Sequence, residues 1–293
     1  MKLTLLIAAI ISTLFATSQP KVVTQAIITT STNVIAPDED EDVARIEPQG
    51  GGGGNFNFRN ILDGETKTTT YIKNDLVKTD FKSESAKGTS YRDNTKKSTI
   101  VISEIMGNKT GTISTDADQV EMKKSMDSMI SARMKADTNM AKNLKPKTRN
   151  VDPITSVVYL EETKKIAGYT CKKALVIQDK IIRKDTAIVW YNPEIKFESV
   201  ASTGGSNGVG MFSNMFGGQG ISFENVNGFV MEYSRKMPRG RMMEVKVTKI
   251  VTDKEIAAKE FDVPKDIELK SMKDMMSGGA GNMRVMFGGA RPQ

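Results

Sequence analysis

The chain has 293 residues, 38% of them hydrophobic and 26% charged, which is the composition of a folded protein and excludes a disordered one. It carries a formal charge of +7, a single cysteine, Cys171, and no histidine. One cysteine excludes an intramolecular disulfide, and the missing imidazole excludes Ser-His-Asp and Cys-His nucleophilic pairs together with His-containing zinc sites.

The N-terminus reads as an export signal. Lys2 supplies the basic start, Leu3 to Phe15 form an apolar run broken only by Thr4, Ser12 and Thr13, and Ala16-Thr-Ser18 is a small-residue cleavage site. Residues 1–18 are therefore expected to be a signal peptide, with Gln19 first in the mature chain. The apolar run is shorter than the roughly 20 residues of a spanning helix. No cysteine stands at the cleavage site to take a lipid, so a periplasmic or secreted protein is expected.

Residues 19–270 read as one β-rich domain. Val22 to Ile35 is strand-like, and the acidic run Asp38 to Asp42 with the Gly50 to Gly54 tract marks a flexible insertion at 36–56. A meander follows. Its strands are Thr66 to Lys73, Leu76 to Ser83, Ser90 to Asp93, Thr99 to Ile105 and Thr110 to Ser114, with turns at Asn74-Asp75, Lys87-Gly88 and Gly107-Asn108. Strands so closely spaced pair antiparallel, because parallel crossovers need about a dozen residues or more.

From Asp116 to Leu144 the period changes. Met122, Met126, Met129, Ile130, Met134, Met140, Ala141 and Leu144 recur at steps of three and four, which predicts an amphipathic helix capped by Asp116 or Asp118 and stopped by Pro146. Strands resume at Thr155 to Glu161, Thr170 to Ile177, Thr186 to Tyr191, Gly228 to Ser234 and Met242 to Val251. Cys171, in step with Leu175 and Ile177, reads as a small buried core residue, and Trp190 is placed in the core beside it. A Gly/Met-rich loop occupies 201–222. Leu269 to Met276 is expected to form a short helix within a Gly/Met-rich tail at 271–293.

Two segments carry a resemblance. Ile166-Ala-Gly-Tyr-Thr-Cys-Lys-Lys-Ala174 and Ala187-Ile-Val-Trp-Tyr-Asn-Pro-Glu-Ile195, supported by Gly88 to Ile102, Met106 to Lys109 and Asp262 to Asp266, resemble the DUF4412 type of exported protein, frequent in Bacteroidetes. That group is similar in fold to the periplasmic lipoprotein carriers (LolA/LolB-like half-barrels). The expected fold class is thus α+β: the residues give a curved antiparallel β-sheet with one long inserted helix, and the resemblance implies a half-barrel whose concave face that helix covers.

The function expected is an exported, non-enzymatic binding or carrier-like protein of the cell envelope, holding an apolar or lipid-like ligand between sheet and helix. Met122, Met126, Met129, Ile130 and Met134 would line that berth. Carboxylates are too dispersed for an acid–base pair to stand out, and the glycine tracts lack the Lys-Ser/Thr ending of a phosphate loop, so neither an enzyme nor a cofactor is expected. The alternative is soft-metal binding, Cu(I) held by thioethers, with Met211, Met215 and Met286 of the repeated Met-Phe segments as ligands. The lysines look scattered along strands and helix, which suggests solvated faces with weak attraction to a membrane surface and no nucleic-acid partner.

Overall fold

The computed structural model describes residues 21–35, 64–84, 86–105, 107–122, 124–125, 128, 154–179, 184–197, 223, 225–237, 240–271 and 274. In chain order the strands are β1 (Lys21–Val22), β2 (Gln25–Ile35), β3 (Gly64–Lys73), β4 (Leu76–Lys82), β5 (Ala86–Asp93), β6 (Ser98–Ile105) and β7 (Asn108–Thr115). They continue with β8 (Ile154–Ile166), β9 (Tyr169–Asp179), β10 (Lys184–Asn192), β11 (Ile195–Lys196), β12 (Phe229–Lys236), β13 (Met242–Val251) and β14 (Leu269–Ser271).

Twelve of these strands make one open sheet in the order β14-β7-β6-β5-β4-β3-β2-β13-β12-β10-β9-β8, while β1 and β11 form a separate parallel pair. The meander β3 to β7 is antiparallel throughout, as its short turns require. Asn74 takes φ 51° at the first of these turns, and Gly107 takes φ 82° at the last. The sheet as a whole is mixed, because β14 joins β7 in parallel.

The expected half-barrel with a long helix over its concave face is corrected by this architecture. The described residues hold one large open sheet, and among them no long helix covers a face of it. Helical turns do begin at residue 116. None of their described residues is buried, and Val120 is 54% exposed. The reason is physical: an apolar stripe shows that a helix has a face to cover, and says nothing of which surface covers it.

Local departures are equally specific. Thr115, not Asp116 or Asp118, caps the helical turns: its hydroxyl accepts from the Asp118 N–H at 3.1 Å, and the Asp118 carboxylate accepts from the Thr115 N–H at 2.7 Å. Lys87 and Gly88 lie within β5, the turn having moved back to Ser83–Ala86, where Ser83 N–H bonds the Ala86 carbonyl. Leu269 to Ser271 form β14 in place of the expected helix start.

The core lies along one face of the sheet. In the C-terminal half, Ala174, Val176, Ala187, Val189, Tyr233, Met243 and Val245 are packed under Phe223 and Val226. Towards the other ends of the strands, Ala26, Ile28, Ile72, Val77, Cys171, Met231 and Val247 meet Val23, Ile195 and Phe197. Cys171 is fully buried, as expected, but its partners along β9 are Ala174 and Val176 rather than Leu175 and Ile177. Extra residues of β8 between Tyr159 and Thr163 break the register with β9, and a bulge shifts which positions face inward.

A hydroxyl-lined face as the candidate site

The same face changes chemistry across the sheet. Over β2 to β7 its buried polar positions are Thr30, Thr68, Thr70, Thr79, Ser90, Arg92, Thr99, Ser103 and Ser114, set among apolar ones such as Ile28, Ile72 and Val77. Strand pairing brings them together: Thr30 is opposite Thr68, Thr70 opposite Thr79, Thr79 opposite Ser90, Arg92 opposite Thr99, and Thr99 opposite Ser114. β-branched threonine suits a strand, and alternation sends these residues inward while lysines and aspartates point out.

Buried hydroxyls require partners. Thr70 and Thr79 satisfy one another at 3.2 Å, and Ser103 bonds the half-exposed Thr110 of the neighbouring strand at 3.1 Å. Thr30, Thr68 and Ser90 make no side-chain hydrogen bond among the described residues. The contacts of β4 to β7 run chiefly to one another, to β14 at the edge and to the 3-10 turn Ala258–Phe261, which reaches the opposite face through Lys78 and Glu260. Methyls and hydroxyls thus alternate over a largely covered surface, interrupted by Phe81, whose ring lies over Gly88.

Arg92 closes one end of this face. Its guanidinium donates to both oxygens of Asp116, at 2.5 and 2.9 Å, and to Asn94 Oδ1 and Thr99 Oγ1. The hydrogen bonds from Arg92 hold the Asp116 carboxyl below the usual carboxylate range. A bidentate pair of this kind fixes the first helical residue against the sheet.

Other features offer less chemistry. Burial pushes the Cys171 thiol up to about 11, so it stays protonated and is a poor nucleophile or metal ligand. Among the described residues no group of three or more Cys, Asp or Glu could hold a metal ion. No helix among them is long and apolar enough to cross a membrane.

Of the berth residues expected on the helix, Met122 is half-buried in the described turns, whereas Met126, Met129, Ile130 and Met134 lie outside the described residues. Met211, Met215 and Met286 of the Cu(I) alternative also lie outside them. The buried threonines and serines were not anticipated as a site. Their signal was present in the alternation Thr66, Thr68, Thr70 and Thr30, Thr32, but it reads equally as a solvated strand face until pairing shows which side is covered.

No protein-family model matches the chain. No curated protein matches it. Among solved structures it is similar to PNGF-II in two crystal forms, at 13% identity in each and with TM-scores of 0.38 and 0.35. The similarity covers 86% and 87% of this chain and 32% and 33% of those chains, so this chain spans about a third of their length.

Proposed function

We propose that the protein is a non-enzymatic, exported binding or carrier-like protein of the cell envelope that takes a lipid-like ligand with an uncharged polar head. The observation that supports this reading is the trio Thr30, Thr68 and Ser90, largely covered residues of one sheet face whose hydroxyls make no hydrogen bond among the described residues. A hydroxyl both donates and accepts, and a β-branched methyl beside it gives apolar contact. Such a lining suits ester, amide or hydroxyl groups at the head of an apolar chain. It suits a bare charge poorly, since the cation among the described buried residues of β2 to β7, Arg92, is already paired with Asp116.

The test separates binding from folding. Thr68→Val and Ser90→Ala remove hydroxyls that support no neighbour, so melting temperature should hold or rise while affinity for a fluorescent monoacylglycerol falls by up to about tenfold per lost hydrogen bond. Mass spectrometry of organic extracts from native protein should find a stoichiometric amphiphile. If wild-type protein binds no acyl probe and its extract is empty, the carrier reading fails.

A further inference from the structure

The sequence scatters its lysines, yet strand register gathers them. On the outer face a single cross-strand row runs through ten neighbouring strands: Lys173 is opposite Trp190, Trp190 opposite Glu232, Glu232 opposite Lys246, and Lys246 opposite Ser31. It continues with Ser31 opposite Lys67, Lys67 opposite Lys82, Lys82 opposite Lys87, Lys87 opposite Glu104, and Glu104 opposite Lys109. Directly paired residues share a face, so these side chains stand side by side about 4.8 Å apart.

Three lysines on adjacent strands, Lys67, Lys82 and Lys87, face one another in the middle of the row. Like charges directly opposite destabilise a sheet. Lys87 is relieved by Glu104 at 3.0 Å, while Lys67 and Lys82 form no ion pair among the described residues, and all three are exposed. An arrangement that costs stability and is repeated on successive strands calls for a negative partner.

We propose that this row binds a linear acidic polysaccharide. The row is far longer than a small anion, so its partner must be extended. Sheets twist by roughly 20–25° per strand, which turns successive lysines away from any one plane; a flexible chain can follow that path and a flat membrane cannot. Single-stranded nucleic acid is held through aromatic stacking as well as charge, and the row's aromatic, Trp190, stands at its far end under Lys164 and Lys173, with none between Lys246 and Lys109. Its cations are all lysines, point charges that suit separate carboxylates or sulfates and lack the bidentate fork with which arginine grips phosphate.

The experiment measures binding of full-length protein to sulfated dextran and to polygalacturonate over a range of salt. The triple variant K67A/K82A/K87A is compared with K254A/K265A/K270A, which removes the same charge from exposed positions off the row. The row variant should bind at least about tenfold more weakly, with the slope of log affinity against log salt shallower by about 2, and melt no lower than wild type. The control variant should bind as wild type does. Equal losses in both variants would reduce the effect to net charge and overturn the proposal. So would the absence of polysaccharide binding, or binding confined to phosphatidylglycerol vesicles or to single-stranded DNA.

Discussion

Cys171 and Tyr233 show how burial sets chemistry residue by residue. Both are sealed in the core, and both are pushed up by desolvation, the thiol from 9.0 to about 11 and the phenol from 10.0 to about 12. A folded-state value above the unfolded one means that the native protein holds its proton longer. The stability both groups supply is therefore complete below pH 9 and is lost as pH rises from 9 towards 12. Urea midpoints should fall over that window, and a thiol reagent at pH 8 should label Cys171 only after unfolding. Rapid labelling of the native protein would contradict its burial.

Trp190 was expected in the core from its β-branched strand, without regard to alternation. Ala187, Val189 and Tyr191 are buried, and the alternation that turns them inward leaves the indole half-buried on the outer face, beneath Lys164 at 4.3 Å and Lys173 at 5.7 Å. Trp190→Ala should consequently cost about 2 kcal/mol in urea unfolding, below the roughly 3–5 kcal/mol of a fully buried ring. A cost within that higher range would put the ring back in the core.

At the scale of the element, what was legible depended on whether local chemistry decided the outcome. Turns at Asn74 and Gly107 needed positive φ, and the residues present permit it. Gly88 was misread because Lys-Gly in a polar stretch signals a turn equally well. Its place in β5 is set by tertiary packing: a Cβ there would meet the Ile102 carbonyl and come within 2.5 Å of the Phe81 ring. Gly88→Ala should thus destabilise by about 2 kcal/mol through overpacking, although alanine is an ordinary strand residue otherwise. A thermal melt unchanged by the substitution would show that Phe81 can move aside at no cost. The β14 strand was illegible for a related reason, since Leu269 to Ser271 is too short to show a period and is strand only because β7 offers it an edge.

For the whole molecule, the meander and its antiparallel pairing were readable because each turn is local, and the alternation of core and solvent faces was readable strand by strand. Which side the helix would cover was not, because the described turns bury no residue and the Met stripe has no partner written in its spacing. The hydroxyl face and the lysine row share another obscurity. Each is built from residues that meet only through register, and the β2–β13 pairing that unites the two halves is invisible in either strand alone.

That pairing also governs when the protein can be complete. β2 sits in the middle of the sheet, with β3 on one side and, on the other, β13, where Ile35 meets Met242 and Ile27 meets Val251. During synthesis the first long strand of the sheet therefore emerges with half of its backbone groups unanswered, and they stay so until nearly all of the chain has followed. Closing so long a loop is slow, as in other folds of high contact order. A chain whose first long strand must wait for β13 closes its sheet late, so its topology acts as a clock that postpones completion of the fold until β13 has been made.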